Sequence, residues 1–198
     1  MAKTNTVFVC SECGATSPRW LGRCPSCGKF NTMAEEIVSA PAPAEKSARK
    51  ATYSAPRAKS LSQVEFITYE RTPSGISEFD NVIGGGIVKG SLILLGGDPG
   101  IGKSTLLTQI AAHLSQKHKV LYFSAEESCS QVKLRAERLG LSSDNLLLLN
   151  ETCIDGLEAE LDGVEFCVID SIQAVYTDDL SSSSGSVGQV RECASRIM

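Results

Sequence analysis

The sequence predicts an α/β fold with a mostly parallel β-sheet, preceded by a small cysteine-rich segment. Three observations lead to this prediction. Short apolar runs alternate with segments of helical periodicity, a glycine-rich loop joins one such run to one such helix, and four cysteines lie in two close pairs near the start. The 198 residues are enough for one medium-sized domain and a small appendage, and 42% of them are apolar, so a hydrophobic core can form.

The cysteine-rich segment, residues 1–34, contains the pairs Cys10-x-x-Cys13 and Cys24-x-x-Cys27. Two such pairs at this distance are typical of a tetrahedral Zn²⁺ site with four thiolate ligands. A segment of about 30 residues is too short to fold on a hydrophobic core alone, so metal binding is expected to stabilise it. A redox dithiol pair is the weaker alternative. The other cysteines show no ligand spacing and are expected to be buried as small hydrophobes: Cys129, Cys153, Cys167 and Cys193.

Three aromatic residues flank the cysteine pairs, namely Phe8, Trp20 and Phe30. Because little else can pack in so short a segment, the favoured interpretation is that these side chains shelter the metal. Stacking of the rings on nucleic-acid bases is the alternative.

Residues 35–60 are predicted to be a flexible basic linker. Within it, residues 39–60 are rich in proline and alanine and carry five basic residues and one acidic residue. Residues 1–60 carry nine Lys/Arg and four Asp/Glu, whereas residues 61–198 carry ten and nineteen. This asymmetry favours an anionic partner such as nucleic acid for the N-terminal part, with a plain solvated tether as the alternative.

Residues 61–198 form the predicted α/β domain, in which strands and helices alternate. Apolar runs predict strands at residues 64–68, 91–95, 120–124, 146–149 and 164–170. Periodicity and turn signals predict helices at residues 75–83, 105–114, 131–139 and 156–161, and a further helix that begins at residue 190. Ligands of such sheets bind at the carboxyl ends of the strands.

The loop before the helix 105–114 matches the phosphate-binding pattern G-x-x-x-x-G-K-[ST]. Its glycines let backbone N–H groups close on phosphate oxygens, and the helix N-terminus adds partial positive charge. Lys103 is expected to reach the β- and γ-phosphates and to act in catalysis, and the Ser104 hydroxyl is expected to bind Mg²⁺. The predicted nucleotide-binding residues are Gly97, Asp98, Pro99, Gly100, Ile101, Gly102, Lys103, Ser104 and Thr105.

Carboxylates follow the ends of two other predicted strands. Asp170 ends the strand 164–170, as the aspartate of a Walker B strand does, and is expected to hold Mg²⁺ opposite Ser104. Glu126 follows the strand 120–124 and is the favoured group for activating water. Glu127 is expected only to favour the N-terminus of the next helix. Residues 177–187 are polar and aperiodic, which predicts a mobile surface loop.

Neither a signal peptide nor a run of about 18 apolar residues is evident, so the expected location is cytoplasmic, with no membrane partner.

Several motifs follow one another along the chain: the first cysteine pair, Trp20-x-Gly22-x-Cys24-Pro25-x-Cys27, Ser74-Gly75-Ile76-x-Glu78-Phe79-Asp80, Gly84-Gly85-Gly86, the loop from Gly97 to Leu107, Glu126-Glu127-Ser128 and Val168-Ile169-Asp170-Ser171-Ile172-Gln173. In their order, spacing and residue identities, these motifs resemble those of the RadA (Sms) family of bacterial DNA-repair ATPases. The resemblance covers nearly all 198 residues.

This resemblance implies a RecA-like P-loop ATPase core behind a four-cysteine zinc finger. It also implies binding to single-stranded and branched DNA, ATP-driven branch migration alongside the RecA recombinase, and a ring assembly, a hexamer in the complete protein, with ATP between subunits. In RecA-like cores the glutamate at the position of Glu126 activates water. The loop at residues 177–187 corresponds to a DNA-binding loop in those relatives.

Two departures from the family pattern stand out. Phe30 replaces a tryptophan that is usual in the family. Family members also continue well past residue 198, through further core strands, a Lys-Asn-Arg-Phe-Gly motif and a Lon-protease-like domain. The chain is therefore expected to be a C-terminally truncated form with an incomplete sheet, and to hydrolyse ATP weakly or not at all by itself.

Two other function classes remain open from the sequence. The first is a zinc-finger adaptor that uses ATP as a binding switch without motor activity. The second is a nucleotide kinase, although no basic lid segment is evident in residues 130–198 apart from Lys133, Arg135 and Arg138.

Overall fold

A computed structural model of the chain describes residues 4–39, 60–64 and 69–198. The strands are β1 (Thr4–Cys10), β2 (Thr16–Ser17), β3 (Met33–Ser39), β4 (Arg71–Thr72), β5 (Ile87–Val88), β6 (Val120–Ser124), β7 (Leu146–Asn150) and β8 (Phe166–Asp170). The α-helices are α1 (Ser77–Val82), α2 (Lys103–Leu114), α3 (Cys129–Arg138), α4 (Leu157–Glu160) and α5 (Val187–Ile197), and a 3-10 helix spans Leu61–Gln63. Most of the predicted linker and of the predicted strand 64–68 lies outside the described residues.

The first sheet lies in the cysteine-rich part of the chain, and we call residues 4–39 the ribbon. Its strand order is β2-β1-β3, and both pairings are antiparallel. Cys10, the last residue of β1, pairs with Met33, the first residue of β3. The first cysteine pair is therefore held at the end of a hydrogen-bonded ladder.

The main sheet confirms the predicted α/β fold. β6 lies in the centre, with β7 on one side and β8 on the other, and both pairings are parallel. Ser124, the last residue of β6, stands beside Asp170, the last residue of β8. The carboxyl ends of the two strands therefore meet at the same level, which is where ligands of parallel sheets bind.

Alternating side chains of β6 enter two separate cores, one on each face of this sheet. Val120 and Tyr122 join the core formed with α2 and α3, whereas Leu121 and Phe123 join the core formed with α4 and α5. All five residues of β6 are buried. Because both faces are covered, the strand reads as a continuous apolar run, as the strands of parallel sheets do.

The prediction of a strand at residues 91–95 is wrong. The segment has no regular structure, and no strand of the described part of the chain pairs with it. Leu92 and Leu94 are 58% and 83% exposed. An apolar run records a preference for burial, but a strand also needs a hydrogen-bonding neighbour, and none lies beside this segment.

Residues 177–187 were predicted to be a mobile surface loop. In the structure the loop is anchored by hydrogen bonds to a buried glutamine side chain. The Oε1 atom of Gln189 in α5 accepts a hydrogen bond from the backbone N–H of Thr177 at 2.9 Å. Its Nε2 atom donates to the carbonyls of Thr177, Leu180 and Ser182 at 3.0–3.1 Å. Four backbone groups of the loop are thus bound to one side chain.

The four cysteines outside the ribbon were expected to be buried, and this holds only for Cys193. Cys129 and Cys153 are half-buried and Cys167 is exposed. Cys167 lies on β8, which pairs on one side only among the described strands, so its side chain is less covered than those of β6. Among the described residues, no helix combines the length and apolar character needed to cross a membrane.

Candidate functional site

The two cysteine pairs of the ribbon form equivalent turns. In the first, the N–H of Gly14 donates to the carbonyl of Cys10 at 2.8 Å, and in the second, the N–H of Gly28 donates to the carbonyl of Cys24 at 2.9 Å. Both glycines have positive φ, at 69° and 74°, a conformation that favours glycine. The repeated geometry directs both cysteine pairs toward one point.

The sulfur atoms of the four cysteines all lie within 4.8 Å of one another. Cys10 Sγ is 3.7 Å from Cys27 Sγ, and Cys13 Sγ is 3.6 Å from Cys24 Sγ. A tetrahedral zinc with Zn–S bonds of about 2.3 Å has an edge of about 3.8 Å between sulfurs. The arrangement therefore fits a four-thiolate zinc site. All four thiols are free of disulfides.

The surroundings of this cluster give its thiols different pKa values. A hydrogen bond with the Thr32 hydroxyl, 3.2 Å away, lowers the pKa of Cys10 to about 6. For Cys27 the N–H of Lys29 lowers the pKa, but burial and the neighbouring thiols outweigh it and raise the pKa to about 11. Cys10 thus ionises more readily than Cys27, and a metal that binds the whole set displaces the protons of the thiols that are still protonated.

The aromatic residues of the ribbon divide into two kinds. Phe8 packs against the small core of Cys10, Cys24 and Met33, as expected for a residue that shelters the metal. Trp20 and Phe30 are instead 55% and 70% exposed, so for them the favoured interpretation is wrong. The core is completed by small or aliphatic side chains instead, namely Ala15 and Leu21.

The predicted phosphate-binding loop leads directly into α2. Gly100 and Gly102 have φ values of 80° and 104°, which only glycine adopts readily, and Gly102 is the N-cap of the helix. No side chain of the described residues caps this N-terminus. The first N–H groups of α2 are thus left for another acceptor, and an anion is the ligand that suits them.

The Lys103 ammonium lies against its own loop. Nζ donates hydrogen bonds to the carbonyl of Gly97 at 2.8 Å and to that of Asp98 at 2.9 Å. The lysine charge is therefore held at the mouth of the loop, close to the backbone that the motif assigns to phosphate.

The carboxylate predicted to activate water, Glu126, and the one predicted to hold Mg²⁺, Asp170, lie at the ends of the neighbouring strands β6 and β8. The Ser171 hydroxyl, directly after Asp170, donates a hydrogen bond to Glu126. The N–H of Ala125 donates to the carbonyl of Asp170 at 2.8 Å, which joins the two strand ends through the backbone. α2 packs on these same strands, and Arg135 links the Ser104 carbonyl in its first turn to Glu127 in the turn after β6. The start of α2 and both carboxylates therefore lie at one edge of the domain.

Glu127 is engaged differently from its neighbour Glu126. It forms an ion pair with Arg135, whose side chain is only 9% exposed. The turn that carries both glutamates is further fixed by Asn150, whose side-chain amide donates to the carbonyls of Ser124 at 2.9 Å and Glu127 at 3.1 Å. Glu126 is thus held in place while its carboxylate carries no cationic partner among the described ion pairs.

Two residues that sequence reasoning missed connect these parts. Arg135 donates at 3.3 Å to both the Ser104 carbonyl and the Thr108 hydroxyl in α2. The Tyr122 hydroxyl donates to Asp170 Oδ2 at 2.7 Å, and burial, with that carboxylate, raises the pKa of Tyr122 above its usual value. A signal existed for Arg135, because it follows the buried Val132 by three positions and shares its helical face.

Comparison with known protein families divides the chain in the same way as its motifs. Residues 8–35 match a family model described as a rubredoxin metal binding domain. Residues 56–197 match a family model described as an AAA domain.

Similar proteins are found along the whole chain. A DNA repair protein RadA of Bacillus subtilis is 46% identical over 202 residues, which cover 100% of this chain and 44% of that protein. A protein of the same name from Listeria monocytogenes is 46% identical over 200 residues, covering 100% and 43%. One from Halalkalibacterium halodurans is 45% identical over 201 residues, covering 100% and 44%. The resemblance predicted from the motifs is confirmed, and the chain spans less than half the length of these relatives.

Proposed function

Because the chain belongs to the AAA domain family, we propose that it forms the nucleotide-binding part of an ATPase that acts in DNA repair. The single observation that carries this proposal is the joint placement of three elements. The phosphate-binding loop enters an uncapped helix, that helix packs on β6 and β8, and these strands end beside Glu126 and at Asp170. Binding a triphosphate, holding its metal and activating water need these three elements together.

The proposed roles follow from the chemistry of each group. Gly97 to Thr105 cradle the phosphates through the backbone, and Lys103 neutralises charge that develops on the transferred phosphoryl group. Ser104 and Asp170 would hold Mg²⁺, which supplies charge neutralisation at the phosphate oxygens when it is bound. Glu126 orients and polarises the attacking water, since Glu127 is already paired with Arg135.

We further propose that the chain is organised as a zinc finger, a flexible basic linker and the ATPase core at residues 61–198. The sequence placed the first boundary between residues 34 and 35, but β3 extends to Ser39, so the finger includes the first five residues of the predicted linker 35–60. The sulfur geometry supports zinc as the metal. Metal binding stabilises the folded finger. The linker lets the finger reach a partner at a distance from the ATPase core.

The relatives are named for DNA repair, and on that basis the proposed substrate is DNA, single-stranded or branched. We propose that the complete protein promotes branch migration of recombination intermediates together with RecA, as a homo-oligomeric ring in the cytoplasm. Here the support is the family resemblance, together with a phosphate site that opens at one edge of the domain.

The test measures ATP binding and ATP hydrolysis. Binding is followed by equilibrium titration with a fluorescent ATP analogue and Mg²⁺, and hydrolysis is measured with and without single-stranded DNA. Binding is measured on the 198-residue chain and hydrolysis on the complete protein, each compared with its Lys103→Ala variant. We expect Lys103→Ala to weaken binding and to lower hydrolysis by about a hundredfold, the scale for loss of one charge-stabilising group. Lys133→Ala is the matched control, because Lys133 is exposed and lies outside the loop.

ATP binding that Lys103→Ala leaves unchanged would contradict the proposed site. Binding that depends on Lys103 without any acceleration of hydrolysis by DNA would instead favour the adaptor that uses ATP as a switch. Transfer of phosphate to a small acceptor rather than to water would favour a kinase.

A further inference from the structure

We propose that the ribbon binds single-stranded DNA by stacking unpaired bases on Trp20 and Phe30, with Arg23 beside them. We call these three residues the aromatic surface. The proposal rests on the proposed function in DNA repair and adds the place and manner of one DNA contact.

The first support is that the aromatic surface is not used by the fold. The core of the ribbon consists of Cys10, Cys24 and Met33 with the side chains that pack on them, and neither Trp20 nor Phe30 is among these. The two rings are 55% and 70% exposed. A small domain has few apolar groups to bury, so leaving two of its three aromatic rings in water is a cost that a bound partner would offset.

The second support is that the rings are held in defined positions. The guanidinium of Arg23 lies 5.4 Å from the centroid of the Phe30 ring, and the two residues pair as an antiparallel bridge. Arg23 Nε also donates to the Gly28 carbonyl at 2.9 Å, which fastens the pair to the second cysteine turn. A ring that is already fixed loses little conformational freedom on binding a base.

Trp20 is positioned by the neighbouring glycine. A Cβ atom at Gly22 would lie 3.5 Å from the Trp20 ring, so the indole rests on the backbone of Gly22. The N–H of Asn31 donates to the carbonyl of Gly22 at 2.9 Å, directly beside the Arg23–Phe30 bridge. Both exposed rings therefore belong to one paired segment of the ribbon.

The third support is charge. The ribbon carries three basic residues, Arg19, Arg23 and Lys29, and three acidic ones, Glu12, Glu35 and Glu36. Lys29 is paired with Glu12, whereas Arg19 and Arg23 lie in the same segment as the two exposed rings. Aromatic rings for bases with arginines for phosphates are the combination that binds single strands without sequence preference. By contrast, residues 177–187 contain Asp178 and Asp179 and no lysine or arginine, so the ribbon is better suited to phosphate than that loop.

The chain offers a direct probe of this proposal, because Trp20 is its only tryptophan. The zinc-loaded full chain is titrated with an oligothymidylate of about 20 nucleotides, long enough for one such binding site. Tryptophan emission reports contact at Trp20, and the anisotropy of a dye on the oligonucleotide reports binding anywhere on the protein. We expect emission to be quenched along the same binding curve as the anisotropy, and both signals to weaken as salt is raised.

Variants test the same surface independently of the emission signal. We expect Phe30→Leu to weaken oligonucleotide binding by about fivefold or more, since it keeps an apolar side chain but removes the stacking face. Trp20→Ala should weaken binding by a similar factor, and Trp20→Phe should restore most of it. Tyr69→Leu is the control, because Tyr69 is an exposed aromatic residue outside the ribbon. Zinc content, measured for each variant, shows that the ribbon remains folded.

The outcomes distinguish failure of the aromatic surface as the binding site from failure of DNA as the substrate. If the oligonucleotide binds while Trp20 emission and the Phe30→Leu affinity stay unchanged, DNA binds elsewhere, the aromatic surface is excluded as its site and the function in DNA repair stands. If no oligonucleotide binds, both this proposal and the DNA substrate of the proposed function fail, whereas the dependence of ATP binding on Lys103 is unaffected.

Discussion

Arg135 forms an ion pair with Glu127, and the same guanidinium donates a hydrogen bond to the carbonyl of Ser104 at 3.3 Å. Arg135 in α3 thus joins the turn after β6 to the first turn of α2, and it lies 31 residues from Ser104 in the sequence. Because Arg135 is 9% exposed, the contact is shielded from water and its loss is costly. The phosphate loop and the catalytic turn therefore share one buried charge.

Replacement of Arg135 by leucine is expected to destabilise the domain and to weaken ATP binding together. The change leaves Glu127 without its cation and removes one of the hydrogen bonds that the Ser104 carbonyl accepts, the other coming from the Thr108 hydroxyl. We expect a loss of about 2 kcal/mol in the free energy of unfolding, below the full cost of a buried pair because Glu127 is partly exposed. Urea unfolding and nucleotide titration measure the two effects. Arg138→Leu is the control, since Arg138 lies exposed on the same helix. Equal behaviour of the two variants would contradict this role.

Glu126 and Glu127 are adjacent in sequence, yet we expect opposite consequences when each is replaced by glutamine. Glu126→Gln removes the carboxylate that the Ser171 hydroxyl holds at the strand ends. Single-turnover hydrolysis by the complete protein should therefore fall by about a hundredfold, while ATP affinity and stability are kept. Glu127→Gln removes the partner of Arg135, so stability should fall first. Each variant is the control for the other, and the reverse pattern would assign the water-activating role to Glu127.

The hydrogen bond from Tyr122 to Asp170 predicts an effect on the metal requirement. Tyr122→Phe keeps the buried ring but removes the 2.7 Å bond to Asp170 Oδ2. The carboxylate then loses the group that orients it, so we expect a higher Mg²⁺ concentration for half-maximal ATP binding and a loss of about 1 kcal/mol in stability. Magnesium titrations of both proteins measure the shift. Tyr176→Phe is the control, and an unchanged magnesium requirement in Tyr122→Phe would separate Tyr122 from the metal site.

The wild type and Tyr122→Phe are also expected to differ in how their free energy of unfolding changes in alkaline solution. Burial, and then the Asp170 carboxylate, raise the pKa of Tyr122 above its reference value of 10.0. Above about pH 10 the unfolded chain loses this proton while the folded chain retains it, so this residue lowers the wild-type stability as the pH rises, by about 1.4 kcal/mol per pH unit. Below that pH the contribution is constant. The free energy of unfolding of Tyr122→Phe should therefore decline less steeply above pH 10, and parallel curves would show that Tyr122 ionises freely in the folded state.

The sequence predicted the elements whose signals are local and missed what depends on distant partners. Residues 120–124 were predicted with the bounds of β6, because a strand covered on both faces is a continuous apolar run. Residues 91–95 are equally apolar, but whether such a run forms a strand depends on a neighbour that the run itself does not specify.

The site shows the same division. The phosphate loop and the cysteine pairs are short motifs of residues close together in the sequence, so the sequence alone was enough to locate them. The contacts of Arg135 and Tyr122 join residues 31 and 48 positions apart, and nothing in either local sequence specifies them. The exposure of Trp20 and Phe30 was also misjudged, because a short segment rich in ligands can complete its core with Ala15 and Leu21 and leave larger rings outside.

Removal of the metal is expected to unfold the ribbon and leave the α/β domain intact. The ribbon core of Cys10, Cys24 and Met33 is separate from the two cores that cover the sheet of β6, so its loss removes no residue from them. Without metal, a segment of this size has too little buried surface to stay folded. A chelator should therefore shift the emission of Trp20, the only tryptophan, while the urea midpoint of the remaining domain, followed by circular dichroism, stays constant.

The matched variants for this prediction are Cys24→Ser and Cys167→Ser. Cys24 is a buried member of the four-sulfur cluster, whereas Cys167 is an exposed cysteine of β8. Cys24→Ser should abolish stoichiometric zinc and reproduce the effect of the chelator, because a neutral hydroxyl is a far poorer zinc ligand than a thiolate. Cys167→Ser should bind zinc as the wild type does. Full zinc retention in Cys24→Ser would mean that the metal is held elsewhere, and a lowered urea midpoint after chelation would mean that the ribbon stabilises the α/β domain.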